Sequence, residues 1–170
     1  MAAGYDLKEG KYDQCRLSEK DIKKVFSDFF DKVSKKESTY KYAMFKSILD
    51  NLDQATDKTY KITFDQLYAR FSEIYWLLVF KYHIPQKAYS VDSQKTLAEK
   101  IVENAAEKYE VRKGTSFREL PDIVQREITL NMKNKCSRYV IGALYTDTGR
   151  IFYSFSKSKG WIKVNPLVAE

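Results

Sequence analysis

The sequence predicts an α+β fold: a mainly α-helical body of about five helices, followed by a small antiparallel β-meander. Three observations predict it. Between residues 18 and 133 apolar side chains recur at three- and four-residue spacing behind residues that suit helix starts, the mark of amphipathic helices. After residue 136 the pattern gives way to short runs of β-branched and aromatic residues separated by glycines, as strands and turns require. The 170 residues are 44% hydrophobic with only 6 Gly and 3 Pro, enough apolar material for one packed core and unlike a disordered or collagen-like chain.

The elements follow in order. Ser18 with Asp21 marks a helix start, and Ile22, Val25, Phe26, Phe29, Phe30 and Val33 continue at helical spacing, predicting a helix over about 18–34. Ser38 and Thr39 offer the next cap, before a stripe of Tyr42, Phe45, Ile48, Leu49 and Leu52 that ends in the polar stretch Asn51 to Thr59. Thr63 and Gln66 make a capping box, flanked by Ile62 and Leu67 in staple positions. The helix that follows, apolar nearly all round from Ile74 to Phe80, is expected to be the most buried. Pro85 stops it. Asp92 or Ser93 restarts a helix through Leu97, Ile101, Val102, Ala105 and Tyr109, and Gly114 separates that from a fifth helix over Pro121 to about Lys133, preceded by the box-like pair Ser116 and Glu119. Tyr139–Tyr145 and Ile151–Phe155 read as strands joined by a turn at Asp147-Thr-Gly-Arg150, with Trp161 to Val164 as a third. Residues 1–17 are then an N-terminal extension, 18–135 the helical domain, and 136–170 the β-meander appendage. Asn165-Pro166 opens a last helix that the sequence leaves truncated, as expected of the front portion of a longer polypeptide.

Several classes of chemistry lack their residues. His83 is the only histidine, placed between Tyr82 and Ile84, and its position suits a core or boundary imidazole better than a catalytic one. No phosphate-cradling glycine loop is present. Cys15 and Cys136 form no C-x-x-C pair and are expected as two unpaired thiols of a reduced, cytoplasmic protein. No apolar run reaches the roughly 18 to 20 residues of a membrane span, and the N-terminus has no apolar signal stretch. No catalytic residue, metal ligand or cofactor is expected; the alternative is an enzyme that uses some of the 23 acids as a carboxylate site for a divalent ion.

The charge distribution is the positive signal. The net charge is +7, and Lys133, Lys135, Arg138, Arg150, Lys157, Lys159 and Lys163 stand in a segment whose single acid is Asp147. Residues 1–132 carry 23 basic and 21 acidic side chains. Tyr139, Tyr145, Phe152, Tyr153, Phe155 and Trp161 are interleaved with these cations. Such a mixture suits phosphate contact combined with stacking, although each aromatic taken singly is better placed in the core.

The segment Thr39-Tyr-Lys-Tyr-Ala-Met-Phe-Lys-Ser-Ile-Leu-Asp50, then Ile62-Thr-Phe and the aromatic third helix, resembles the N-terminal region of bacterial HNH endonuclease-like proteins. So do Arg138-Tyr-Val-Ile-Gly-Ala-Leu-Tyr145, Asp147-Thr-Gly-Arg150 and Ile162-Lys-Val-Asn-Pro166. The resemblance implies a non-catalytic region preceding a nuclease module, in proteins associated with restriction or phage defence. An HNH module needs histidine and asparagine ligands that this chain does not offer, so none of its catalytic residues carries over and the cutting module is expected beyond Glu170. The expected function is thus a DNA-binding, DNA-positioning domain whose seven cations, Lys133 to Lys163, contact duplex DNA. The alternative is a protein-interaction or dimerisation domain, suggested by 25 aromatic residues (13 Tyr, 10 Phe and 2 Trp), with homo-oligomers formed through an aromatic-rich surface.

Overall fold

The computed structural model describes residues 6–12, 18–33, 39–53, 59–86 and 94–169. Cys15, Ser38, Asp92, Ser93 and much of the N-terminal extension lie outside the described residues. The architecture is α+β, a helical body with a small four-stranded antiparallel sheet.

Helix α1 (Glu19–Val33) opens on a reciprocal pair: the Ser18 N–H donates to Asp21 Oδ2 at 3.0 Å and the Asp21 N–H to Ser18 Oγ at 3.2 Å. Ahead of α2 (Tyr40–Asp53), the Thr39 hydroxyl donates to Gln86 Oε1 at 2.5 Å and lies 2.9 Å from Tyr75 Oη, tying the start of α2 to the end of the next helix. That helix, α3 (Phe64–Tyr75), carries the expected capping box: the Gln66 N–H donates to Thr63 Oγ1 at 3.3 Å and the Thr63 N–H to Gln66 Oε1 at 2.9 Å. Ile62 and Leu67 are both buried beside it. From Trp76 to Lys81 the coil widens into a π-helical turn, with the Tyr82 N–H bonded to the Leu77 carbonyl at 3.0 Å. It ends at His83, whose φ of 52° reverses the chain.

Helix α4 (Leu97–Lys108) is capped by Thr96 and Glu99: the Glu99 N–H donates to Thr96 Oγ1 at 3.3 Å and the Thr96 N–H to Glu99 Oε2 at 2.6 Å. The Ser116–Glu119 box does form, but it closes a single 3-10 turn, Phe117–Glu119. The fifth helix starts just after Pro121.

That helix, α5 (Asp122–Asp147), corrects the expected meander. It runs for 26 residues, about 39 Å at 1.5 Å per residue, straight through 135 and through the expected strand Tyr139–Tyr145. Val140, Ile141, Leu144 and Tyr145 are buried at helical spacing, so a segment rich in strand-forming residues also fits a helix. Burial against the helical body decides between the two. Asp147-Thr-Gly-Arg150 is not a hairpin turn but the end of α5: the Arg150 N–H returns to the Tyr145 carbonyl at 2.9 Å, with Gly149 and Arg150 both at positive φ.

The sheet keeps the expected antiparallel pair near the C-terminus and adds two strands from earlier in the chain. Its order is β1-β3-β4-β2, with β1 (Glu9–Gly10) and β2 (Lys61–Thr63) flanking β3 (Tyr153–Ser156) and β4 (Trp161–Val164). Gly10 pairs with Phe155, Ile62 with Ile162, and Phe155 with Ile162, so the strands come from three distant parts of the chain. Gly10 is required where it stands, because a Cβ there would meet Phe155 Cε1 at 2.5 Å and Tyr145 Cζ at 2.8 Å. Ile62, Phe155, Ile162 and Val164 face the core, and one continuous cluster joins this inner face to α2, α3, α4 and α5. Asn165 and Pro166 open a short helix, α6 (Pro166–Ala169), as expected, with the Leu167 N–H on Asn165 Oδ1 at 3.2 Å.

The aromatic excess goes largely into this core. Tyr68, Phe71, Tyr75, Trp76, Phe152, Tyr153 and Phe155 are all fully or nearly fully buried; among the described aromatics only Phe30, Tyr82 and Tyr139 are strongly exposed.

Candidate functional site

Three of the seven expected cations meet. The N-terminus of α3, the middle of α5 and the turn between β3 and β4 enclose an open cleft of about 700 Å³, lined by Asp65, Lys133, Asn134, Ser137, Lys157 and Lys159 among others. Helical geometry explains the α5 contribution, since Lys133 and Ser137 are four residues apart on one flank. The turn is fixed by Gly160 at φ 64° and by the Phe64 N–H, which bonds the Gly160 carbonyl at 2.8 Å and holds the cleft's two walls together.

The cations differ in how they are held. Lys133 Nζ lies 2.6 Å from Asp65 Oδ1. Lys157 Nζ donates to the Arg138 carbonyl at 2.7 Å. Burial lowers the Lys157 ammonium below its usual range, opposed by the Asp6 carboxylate and assisted by the Arg138 charge. Lys159 is exposed on the turn and, among the described residues, is in no ion pair.

The remaining four are distributed as follows. Arg138 lies next to the cleft, its guanidinium 5.6 Å from the Tyr139 ring centre. Lys163 projects from β4 on the outer face of the sheet, across from Ser154 and Lys61. Lys135 sits roughly 160° around α5 from Ser137, on the opposite flank. Arg150 follows the C-terminal end of α5, which at Asp147 is nine residues, about 14 Å, farther along the axis than Arg138. The seven therefore do not form one patch: Lys133, Lys157, Lys159, Arg138 and Lys163 are on the cleft side, and Lys135 and Arg150 are not.

The outer sheet face adds a residue outside the expected set. Lys61 Nζ lies 5.4 Å from the centre of the Trp161 ring, and Trp161 is half-buried. The alternation exposed-buried-exposed in Lys61-Ile62-Thr63 is the sequence signal for this strand, but three residues beside a capping box are too short a run to read alone.

Other candidates carry less chemistry. His83 is exposed at the end of the π-helical turn, which corrects its expected place in the core or at its boundary. Cys136 is buried on α5 and its thiol is pushed up to about 12 by burial, with Lys135 opposing, so it is held as the unreactive thiol. Among the described residues, no group of three His, Cys, Asp or Glu is placed to hold a metal ion, and no helix is long and apolar enough to cross a membrane. Compared with known protein families, curated proteins and solved structures, the chain matches none.

Proposed function

We propose that this domain binds a nucleic acid through its phosphate backbone, with duplex DNA as the expected target, and that it positions rather than cuts the strand. The observation that carries the reading is the convergence of Lys133, Lys157 and Lys159 on one cleft beside the Lys163-bearing sheet face. Ammonium groups neutralise phosphates and release condensed counterions, while Asn134 and Ser137 supply neutral groups for hydrogen bonds to phosphate oxygens. Contacts of this kind fix a duplex in place without reading its bases. In this reading the resemblance to HNH endonuclease-like proteins assigns the cleavage chemistry to a module other than these residues.

The test is fluorescence anisotropy of a labelled duplex at several salt concentrations. Three phosphate contacts predict a slope of about −2.7 in log affinity against log salt. Reversing Lys133, Lys157 and Lys159 to Glu is expected to bring that slope close to zero. Absence of binding at low ionic strength, or a triple variant that binds like the parent, refutes the reading.

A further inference from the structure

A second cavity lies at the opposite end of α3 from the cleft and shares no lining residue with it. It holds about 370 Å³, within the range of small-molecule sites, and lies among α2, α3, the π-helical turn and the 3-10 turn. Its walls are Tyr42, Ala43, Ile74, Leu77, Leu78 and Phe117, with the buried Trp76 ring behind them. Leu77 is 41% exposed at the opening, between the buried Trp76 and the half-buried Leu78. A π-helical turn forming one wall is itself a feature common at functional sites.

The polar groups around this cavity are nearly all engaged. The Thr39 hydroxyl bonds Gln86 and Tyr75, and the Ser116 hydroxyl bonds Glu119 at 2.8 Å. At the mouth, Lys46 is 3.0 Å from Asp50; Arg70 reaches Asp50 and Glu73 at 2.6 Å each; and Arg118 reaches Glu73 at 2.7 Å. Lys81 is the exception among the charged groups. Among the described residues it is in no ion pair, and its ammonium lies 5.8 Å from the Tyr82 ring centre. The nearest acid it influences, Glu119, is already bound by the Ser116 N–H at 2.7 Å and by the Ser116 hydroxyl.

We infer that this cavity is a binding site for a small single-chain amphiphile, with its apolar chain against Tyr42, Ile74, Leu77 and Phe117 and its single anionic headgroup on Lys81. Apart from the Tyr42 hydroxyl, which is in no hydrogen bond among the described residues, the walls leave no unengaged polar group for a polar body, and the one uncommitted charge at the mouth is positive. A free, monomeric ligand fits a site of this volume. The inference is independent of the nucleic-acid reading, because none of these residues lines the cleft.

Titration calorimetry with decanoate, decanol and decylamine, all below their aggregation concentrations, tests it. Decanoate is expected to bind one site, about fivefold more tightly than decanol, with decylamine weakest. Lys81→Glu is expected to erase the preference for decanoate over decanol, and Leu77→Tyr to weaken all three ligands by narrowing the mouth. Both positions are exposed, so neither change loads the core, and an unchanged melting temperature confirms folding. In a Trp161→Phe background Trp76 is the sole tryptophan, and its emission is expected to shift with decanoate occupancy. No saturable binding of any ligand, equal binding of decylamine and decanoate, or binding unchanged by Leu77→Tyr overturns the inference. Co-sedimentation with phosphatidylglycerol vesicles that Leu77→Tyr abolishes overturns the assignment to a free ligand.

Discussion

Two cationic regions of this molecule, each carrying several basic side chains, are wired differently. Around the cavity mouth, Lys46, Arg70 and Arg118 are each bound to a carboxylate, and Asp50 and Glu73 each hold two cations. At the cleft and sheet face, Lys133 is paired with Asp65 and Lys157 donates to the Arg138 carbonyl within the field of the Asp6 carboxylate, while Lys159 and Lys163 are exposed and, among the described residues, in no ion pair. Formal charge therefore says little about available charge. The first region ties α2 and α3 to the 3-10 turn ahead of α5, and the second, in the proposed function, is the surface that meets the nucleic acid.

That contrast predicts opposite responses to mutation. The largest effect is expected from Lys159→Glu with Lys163→Glu, which should weaken duplex binding by about ten- to a hundredfold. The denaturation midpoint should stay put, because neither side chain is in an ion pair among the described residues; a loss of stability of the same size would break the contrast. Glu73→Ala is the mirror experiment. It strands Arg118 and leaves Arg70 with Asp50 alone, and is expected to cost about 1–2 kcal/mol in urea unfolding while leaving DNA affinity unchanged.

Acidification addresses the same network. Burial raises the Glu73 carboxyl, but the bonds from Arg118 and Arg70 outweigh it and leave it below the usual value of 4.5; Asp50 is likewise held below 3.8 by Arg70 and Lys46 against its burial. Both groups bind fewer protons folded than unfolded near these values. Their stabilisation is therefore present above about pH 4.5 and is lost as the pH falls through their lowered folded values. Urea midpoints measured at neutral pH and at about pH 3 should show a decline that Glu73→Ala makes shallower.

Smaller effects sharpen the other side. Asp65→Asn releases Lys133 from its one acid and is expected to raise duplex affinity by up to about fivefold, since an exposed pair is worth no more than roughly 1 kcal/mol. An unchanged or weakened affinity would show that Lys133 does not reach the phosphates. Smallest of all, Cys136 should resist a thiol reagent at about pH 8 in the folded protein and react only after unfolding, because burial keeps the thiol protonated.

Much of the fold was legible where short-range chemistry decides it. The Ser18–Asp21 pair, the Thr63–Gln66 box, the Asn165–Pro166 start and the strand at Trp161–Val164 all form where local residues place them. The Thr96–Glu99 box had the same signature and was hidden behind the earlier candidates Asp92 and Ser93. Tyr139–Tyr145 was not legible, because its side chains satisfy strand propensity and helix periodicity alike and only burial against the rest of the body chooses. The site inherits that ambiguity. The cationic excess was plain in composition, but which members converge depends on α5 being a helix, which turns Lys135 away from Lys133 and carries Arg150 to the far end. Lys61 was out of reach because its partner strand lies about a hundred residues downstream.

The sheet's assembly sets an order on folding. Lys61–Thr63 leaves the ribosome long before Trp161–Val164, the strand it needs, and Glu9–Gly10 waits for Tyr153–Ser156 in the same way. Helices can nucleate as they are synthesised, whereas these pairings require closure of loops of roughly a hundred residues or more. The cleft, whose wall includes the turn between β3 and β4, is therefore completed late, so the nascent chain acquires its helical body before its cationic surface is in place.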